Sequence, residues 1–447
     1  MKTINYIIVN YIKYATLLIL TYIILGYLLV NWDVPYNGYM GKGINIKLTY
    51  SNIVEVLLYI NIVSILLIFV KNRVKAYFLI LLVLLTILPM FVMYSVTDEF
   101  SKYNTFINYI FISFVIIYLT SNFSLKKHKI SSKYKLKNTK LLIVLSLLLI
   151  LIVILRYVLV NGLSLINFNI LKVYESRLIL RNTMLGLMNY LDAWVYTLIV
   201  PFCLICSLYK KQQFLSFFFI VIQILLFGLF SHKIILFSIF IVIINFYLVK
   251  FVQKKSLNLS YCVIYLFLIG NLVCYLLYIY VSYYNEVFIN DIVVWLYHRI
   301  LYTPSQINFY YYDYYSVNGF ENFAHSFMRH FITPSNQMEP AFLIGKYYYN
   351  NPITSCNAGF LGSGYMQGGF IVLLAYSIII GLIINLLGKL KSVPSEVLIA
   401  FMTLPILRLF VSSDLPTTLL TGGLALCLFL LYFTTIKVFK IKFNKPY

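Results

Sequence analysis

Charge is scarce in this sequence, and acidic charge most of all. Asp and Glu total 13 of 447 residues against 35 Lys and Arg, and charged residues make up 11% of the chain. A soluble domain needs roughly a quarter of its residues charged to face water, so this composition excludes one. Cysteine is also too sparse and too apolar in setting for a disulfide framework. Of six residues, Cys203, Cys206, Cys262, Cys274 and Cys427 fall in hydrophobic runs and Cys356 alone in a polar stretch. The "CLIC" at 203–206 has CxxC spacing but sits inside an apolar run with no βαβ context, so it reads as small buried hydrophobes. The five His form no HExxH and no carboxylate set at ligand spacing, so no metal and no cofactor is expected.

What the chain has is hydrophobic length. Hydrophobic residues reach 62%, mean hydropathy is +0.89, and apolar runs of about 20 residues, enough to cross a bilayer, recur with short polar breaks. They predict an all-α polytopic membrane protein, 1-447 as a single membrane domain, with about twelve spans. These lie near 4-30, 51-70, 76-96, 104-122, 141-160, 190-209, 213-230, 234-249, 259-281, 366-388, 395-411 and 419-436. The first follows only Lys2, carries Lys13 and has no small-residue cleavage pattern, so it reads as a retained helix rather than a secretory signal.

The net charge of +22 sits mainly in short loops beside spans, such as "KNRVK" and "KKHKISSKYKLKNTK". Topology and anionic headgroups account for it, and no nucleic acid is expected. Most Lys and Arg fall on one side of the expected membrane and most acidic residues on the other. Both termini are therefore predicted cytoplasmic, with polar chemistry concentrated on the outer side.

Two longer outer segments break the pattern. The first, 161-189, carries "LKVYESRLILRN", where Arg177 and Arg181 at i and i+4 would share a helix face. Two like charges there need an anion: either Glu175 neutralises them, or a diphosphate does, since guanidinium forks match phosphate oxygens. The second, 282-365, is rich in Tyr, Asn and His ("WLYHRILYTPSQINFYYYDYY", "AHSFMRHFITPSNQMEP", "IGKYYYNNPITSCNAGF"). It suits either a carbohydrate groove, with aromatic faces on sugar rings, or an interfacial aromatic belt. Within the bilayer Arg156 and Arg408 need a partner or a cavity, with Asp414, Asp192 and Glu55 as candidates for Arg408.

"NAGFLGSGYMQGGF" at 357–370 raises a separate question. Its glycines are out of step with GxGxxG and follow no strand, which excludes a nucleotide loop. Gly364 and Gly368 fit small-xxx-small helix packing. The stretch is also expected to open the tenth span, where free N–H groups would face an anion.

Together, "YESRLILRN", "HRILYTPSQINFYYYDYYS", "IGKYYYNNP" and the glycine stretch, in this order among the spans of residues 140 to 430, resemble the bacterial oligosaccharide repeat-unit polymerases of O-antigen and capsule synthesis, the Wzy type. The resemblance implies a GT-C-like membrane glycosyltransferase in the bacterial cytoplasmic (inner) membrane. It would act on the extracytoplasmic side without a metal, transferring a growing glycan from undecaprenyl diphosphate to a new lipid-linked repeat unit. Its implied partners are that lipid-linked oligosaccharide, membrane lipids, a chain-length regulator and a flippase. Candidate diphosphate-binding residues are Arg177, Arg181 and Arg408, with Arg299 in reserve. Asp313, Glu321, His325 and His330 are candidate catalytic residues, and Tyr311, Tyr312, Asn357, Gly364 and Tyr365 are candidates for holding glycan. Two rivals stay open: an O-antigen ligase of similar design, and a lipid-linked oligosaccharide flippase, for which short outer loops and internal repeats are expected.

Overall fold

The computed structural model describes residues 2–32, 45–123, 139–161, 166–169, 176, 180, 188–284, 298–326, 331–334, 336–390 and 393–434. Among them the chain is all-helical, and eleven helices are long and apolar enough to cross a membrane. This is a polytopic membrane protein. Helix is the form such runs must take, because lipid offers no partner to a free backbone N–H or C=O. The expected span at 395-411 is the helix Ser395–Val411, whose 17 residues place it just below the length of the other eleven.

The chain divides into two compact units. One comprises Met1–Leu125, Leu257–Gly388 and Leu407–Pro416; the other comprises Lys126–Ser256, Lys389–Ile406 and Thr417–Tyr447.

The first unit is built around Arg73–Val96, of which 89% of the most apolar window is buried. The N-terminal helix, Lys2–Trp32, packs on Tyr50–Ile68 and on Leu88–Val96, and the Tyr22 hydroxyl meets Ser95 Oγ at 2.6 Å. At one end, three chain segments are clasped by side chains. Lys75 donates to the Ser121 carbonyl and to Asn385 Oδ1, Asn385 donates to the carbonyls of Thr120 and Phe123, and Asn72 donates to the Gly388 carbonyl. Those carbonyls lie at helix C-termini, where the regular i→i−4 pattern runs out of N–H donors.

The second unit packs Gln213–Phe230 against Val200–Tyr209 and Lys233–Lys254. Gln223 ties them together, donating to the Tyr196 carbonyl (2.6 Å) and to Ser238 Oγ (2.8 Å). Here too lies a buried ion pair: Arg156 Nη1 donates to Asp192 Oδ2, and Nη2 donates to Asn189 Oδ1 at 3.1 Å. Asp192, one of the residues expected to serve Arg408, is thus engaged by Arg156. Glu55, another, instead accepts from the Tyr59 and Tyr94 hydroxyls and Asn104 Nδ2.

Three times a wide π turn ends one residue before the dipeptide that contains a proline: Val83–Ile87 before Pro89, Val195–Ile199 before Pro201, and His298–Tyr302 before Pro304. Proline has no N–H to give, and its ring crowds the carbonyl one turn back. Widening that turn moves the carbonyl aside, so the helix continues.

The segment expected as a large outer loop holds two helices among its described residues, Thr303–Asn318 and Pro340–Tyr349. The glycine stretch is also not an open loop: a helix begins at Phe360, six residues earlier than the expected span, and Phe360–Gln367 is wholly buried. Its continuation to Lys389 is interrupted at Gly368 and Gly369. Gly369 sits at φ 65, ψ −152, a conformation open essentially to glycine alone.

Candidate functional site

The tyrosine-rich helix Thr303–Asn318 has no simple polar face, because neighbours surround it. Pro304 through Tyr311 are buried, with Phe309 stacked on Phe100 at 4.7 Å and Tyr310 stacked on Tyr348 at 4.2 Å. Tyr311, an expected glycan contact, is 3% exposed and donates its hydroxyl to the Cys356 carbonyl. It lies inside the unit rather than on a sugar-facing surface. Tyr312 is half-buried, with its ring 4.8 Å from that of Tyr365.

Asp313, further along the helix, is half-buried and accepts two hydroxyls, from Tyr103 at 2.5 Å and Tyr348 at 2.6 Å. Burial and the adjacent carboxylate raise both phenols above their ordinary range, so they remain donors at any physiological pH.

Beyond the helix, two of the four candidate catalytic residues, Glu321 and His325, come together. Glu321 is 3% exposed. Its Oε1 accepts from the Tyr315 hydroxyl at 3.3 Å. Its Oε2, which has no hydrogen-bond partner among the described residues, lies 3.8 Å from His325 Nε2. That nitrogen is 2.8 Å from the Asn336 carbonyl. A carbonyl can only accept, so Nε2 carries the proton and the Nδ1 lone pair is left as a base. Burial pushes the Glu321 carboxyl above its ordinary value, while His325 and the Tyr315 hydroxyl pull it down. Asn322 and Phe323, between the two, both have positive φ (48 and 64), the conformational strain that clusters at functional sites.

This short loop rests on the broken helix. Glu321 N donates to the Met366 carbonyl at 2.9 Å and Phe323 N to Gln367 Oε1 at 2.7 Å. Gln367, 2% exposed, donates through Nε2 to Asp414 Oδ2 at 3.2 Å. Asp414 Oδ1 accepts from Leu415 N at 2.8 Å, and the hydroxyls of Ser363 and Tyr376 lie beside the carboxylate.

The glycines pack closely, and not only at the expected pair. A Cβ on Gly359 would come within 2.1 Å of the Phe410 carbonyl oxygen, and one on Gly362 within 2.7 Å of Asn308 Oδ1. That oxygen accepts from Gly362 N. Gly364 faces Leu373 and Tyr376 beyond the break, with closest approaches of 3.1 Å, and a Cβ on Gly368 would come within 2.5 Å of Val372 Cγ2. Gly359→Ala is therefore expected to destabilise the protein by about 1–3 kcal/mol, and Gly364→Ala by less. Thermal unfolding of the purified variants checks the order.

Of the expected cations, Arg299 is exposed and stands near enough to Cys356 and Tyr349 to favour their ionised forms. Burial outweighs it, pushing the Cys356 thiol up to about 12, so this cysteine stays protonated and unreactive. Arg408 is half-buried in Ser395–Val411, two residues before the carbonyl that Gly359 abuts. Asn357 is exposed and donates to Ser355 Oγ. Arg177, Arg181 and His330 lie outside the described residues. No group of three or more His, Cys, Asp or Glu able to hold a metal occurs among the described residues.

Sequence reading missed Tyr103, Tyr348, Asn336 and Gln367. Tyr348 and Gln367 lie within the motifs above, while Tyr103 reaches Asp313 across 210 positions and leaves no local signal. No family profile, no curated protein and no solved structure matches the chain.

Proposed function

We propose that this protein is a membrane glycosyltransferase that polymerises lipid-diphosphate-linked oligosaccharide repeat units at the extracytoplasmic face of a bacterial cytoplasmic membrane. The observation that carries the reading is the Glu321–His325 pair. A base nitrogen is fixed there by a backbone carbonyl and a buried carboxylate, in a segment outside the membrane-crossing helices and following a helix of tyrosines. The family resemblance of the surrounding motifs supports the same assignment.

In this mechanism a hydroxyl on the acceptor glycan gives its proton to His325 Nδ1 as its oxygen attacks the anomeric carbon of the donor. The new glycosidic C–O bond forms, the bond to the lipid diphosphate breaks, and its electron pair leaves on the diphosphate oxygen. A single displacement of this kind inverts the anomeric centre. Glu321 stabilises the imidazolium and holds the ring, as a third group does for any His base. The leaving diphosphate needs preorganised cations, a role suited to Arg299 and Arg408. The proton passes from His325 to solvent before the next cycle.

Deleting the gene in its host and resolving the surface glycan by size tests the reading. Expected is a single repeat unit on its anchor with the ladder gone. An unchanged ladder overturns the proposal. Loss of all surface glycan with lipid-linked material retained replaces it with a flippase or ligase.

A further inference from the structure

We infer that Asp414 is a positioning residue for the Glu321–His325 pair, acting through the side-chain amide of Gln367; the inference rests on the glycosyltransferase reading above.

Hydrogen-bond polarity links the two. Gln367 bridges two partners: the Phe323 N–H, which can only donate, and Asp414 Oδ2, which accepts from Gln367 Nε2. A carboxylate oxygen at 414 forces Nε2 toward itself and so turns Oε1 toward Phe323 N. Phe323 lies between Glu321 and His325, and its bond, with that from Glu321 N to the Met366 carbonyl, fastens the loop to the broken helix. Asp414 therefore decides which way the Gln367 amide points, and that direction decides whether the loop is held. The location fits the task. Gln367 is the last residue before Gly368, where the helix is interrupted, so its side chain and the Met366 carbonyl meet a loop instead of a further helical turn. The positive φ of Asn322 and Phe323 is a local cost that such an external hold must offset.

The substitution Asp414→Asn reverses one end of this relay. The Leu415 N–H requires an acceptor at the position of Asp414 Oδ1, so the amide oxygen takes that place and the new NH2 faces Gln367. Two donors then oppose each other. If Gln367 turns over to relieve them, its own NH2 meets the Phe323 N–H. Either orientation leaves one unmatched contact. Adding Gln367→Glu removes the conflict, because the carboxylate accepts from the introduced amide with one oxygen and from Phe323 N with the other.

The test uses the full chain in lipid nanodiscs, reading amide exchange across residues 320–326, together with the polymer ladder in the host. Asp414→Asn is expected to speed exchange at Phe323 at least tenfold and to shorten or remove the ladder. The double variant D414N/Q367E is expected to restore both to near wild type. Gln367→Met, which keeps the volume and loses both bonds, should match Asp414→Asn. Unchanged exchange in Asp414→Asn and Gln367→Met overturns the inference, as does a double variant no better than the single. If Asp414→Asn does not accumulate, recovery of abundance and loop protection in the double variant supports the inference, and no recovery overturns it. Exchange that responds as expected while the ladder stays normal in every variant retains the clamp and rejects the catalytic use of the loop.

Discussion

Replacing His325 by Ala is expected to lower polymer formation by about 10²–10⁴-fold, the usual contribution of a positioned general base, with the protein still accumulating in the membrane. His325 is half-buried and contributes one contact to a backbone carbonyl, so its loss removes little packing. Glu321→Gln should also abolish the ladder, for a different reason: a neutral amide cannot stabilise the imidazolium that forms when the acceptor proton arrives. The two variants differ in stability. Burial raises the Glu321 carboxyl above its ordinary 4.5, so the folded protein binds that proton more tightly than the unfolded chain. Stability from this residue is therefore greatest below the ordinary value and declines as pH rises through the raised one. Gln carries no such dependence. At neutral pH Glu321→Gln is expected to unfold at a higher temperature than the wild type, and the difference should vanish as pH falls below 4.5. A stabilised protein without activity is the signature of a carboxylate kept for chemistry rather than for the fold. An equal or lower unfolding temperature at neutral pH would count against that role.

The unequal legibility of the sequence has physical causes. The spans were plain because in lipid, length and hydropathy leave one backbone solution; Ser395–Val411 matches its expected limits. Glycines at 359, 362 and 364 disfavour helix by propensity, yet Phe360–Gln367 is helical, with Gly359 and Gly362 set closely against Phe410 and Asn308. Thr303–Asn318 was hidden for the opposite reason. Aromatic neighbours enclose most of its surface, so no stripe of period 3.6 marks it. Glu321 and His325, four residues apart, could be proposed together. What holds them could not, since Gln367 and Asp414 are 44 and 93 residues beyond Phe323 and Glu321, and hydrogen-bond polarity has no periodic trace. Prolines 89, 201 and 304 were visible, but the widened turns that accommodate them follow from geometry alone.

Asp192→Ala is expected to be strongly destabilising, at about 3–5 kcal/mol, because it takes away the carboxylate to which the largely buried Arg156 guanidinium donates. The side chains of Arg156 and Asp192 are only 18% and 5% exposed, and Asn189 supplies Arg156 with a neutral acceptor that cannot balance its charge. The pair itself is not an efficient source of stability. Asp192 Oδ1 has no hydrogen-bond partner among the described residues, so a desolvated carboxylate is stabilised there through one oxygen only. Replacing both residues, Arg156→Met with Asp192→Leu, should consequently recover most of the loss and reach or exceed wild-type stability, as isosteric apolar replacement of buried pairs often does. Thermal unfolding of the single and double variants measures this directly. The same pair of proteins separates structural from functional cations. If Arg156 serves only to neutralise Asp192, the double variant polymerises normally, and the diphosphate is left to Arg299 and Arg408. If the double variant is stable and makes no polymer, the charge of Arg156 is needed for more than neutralising Asp192.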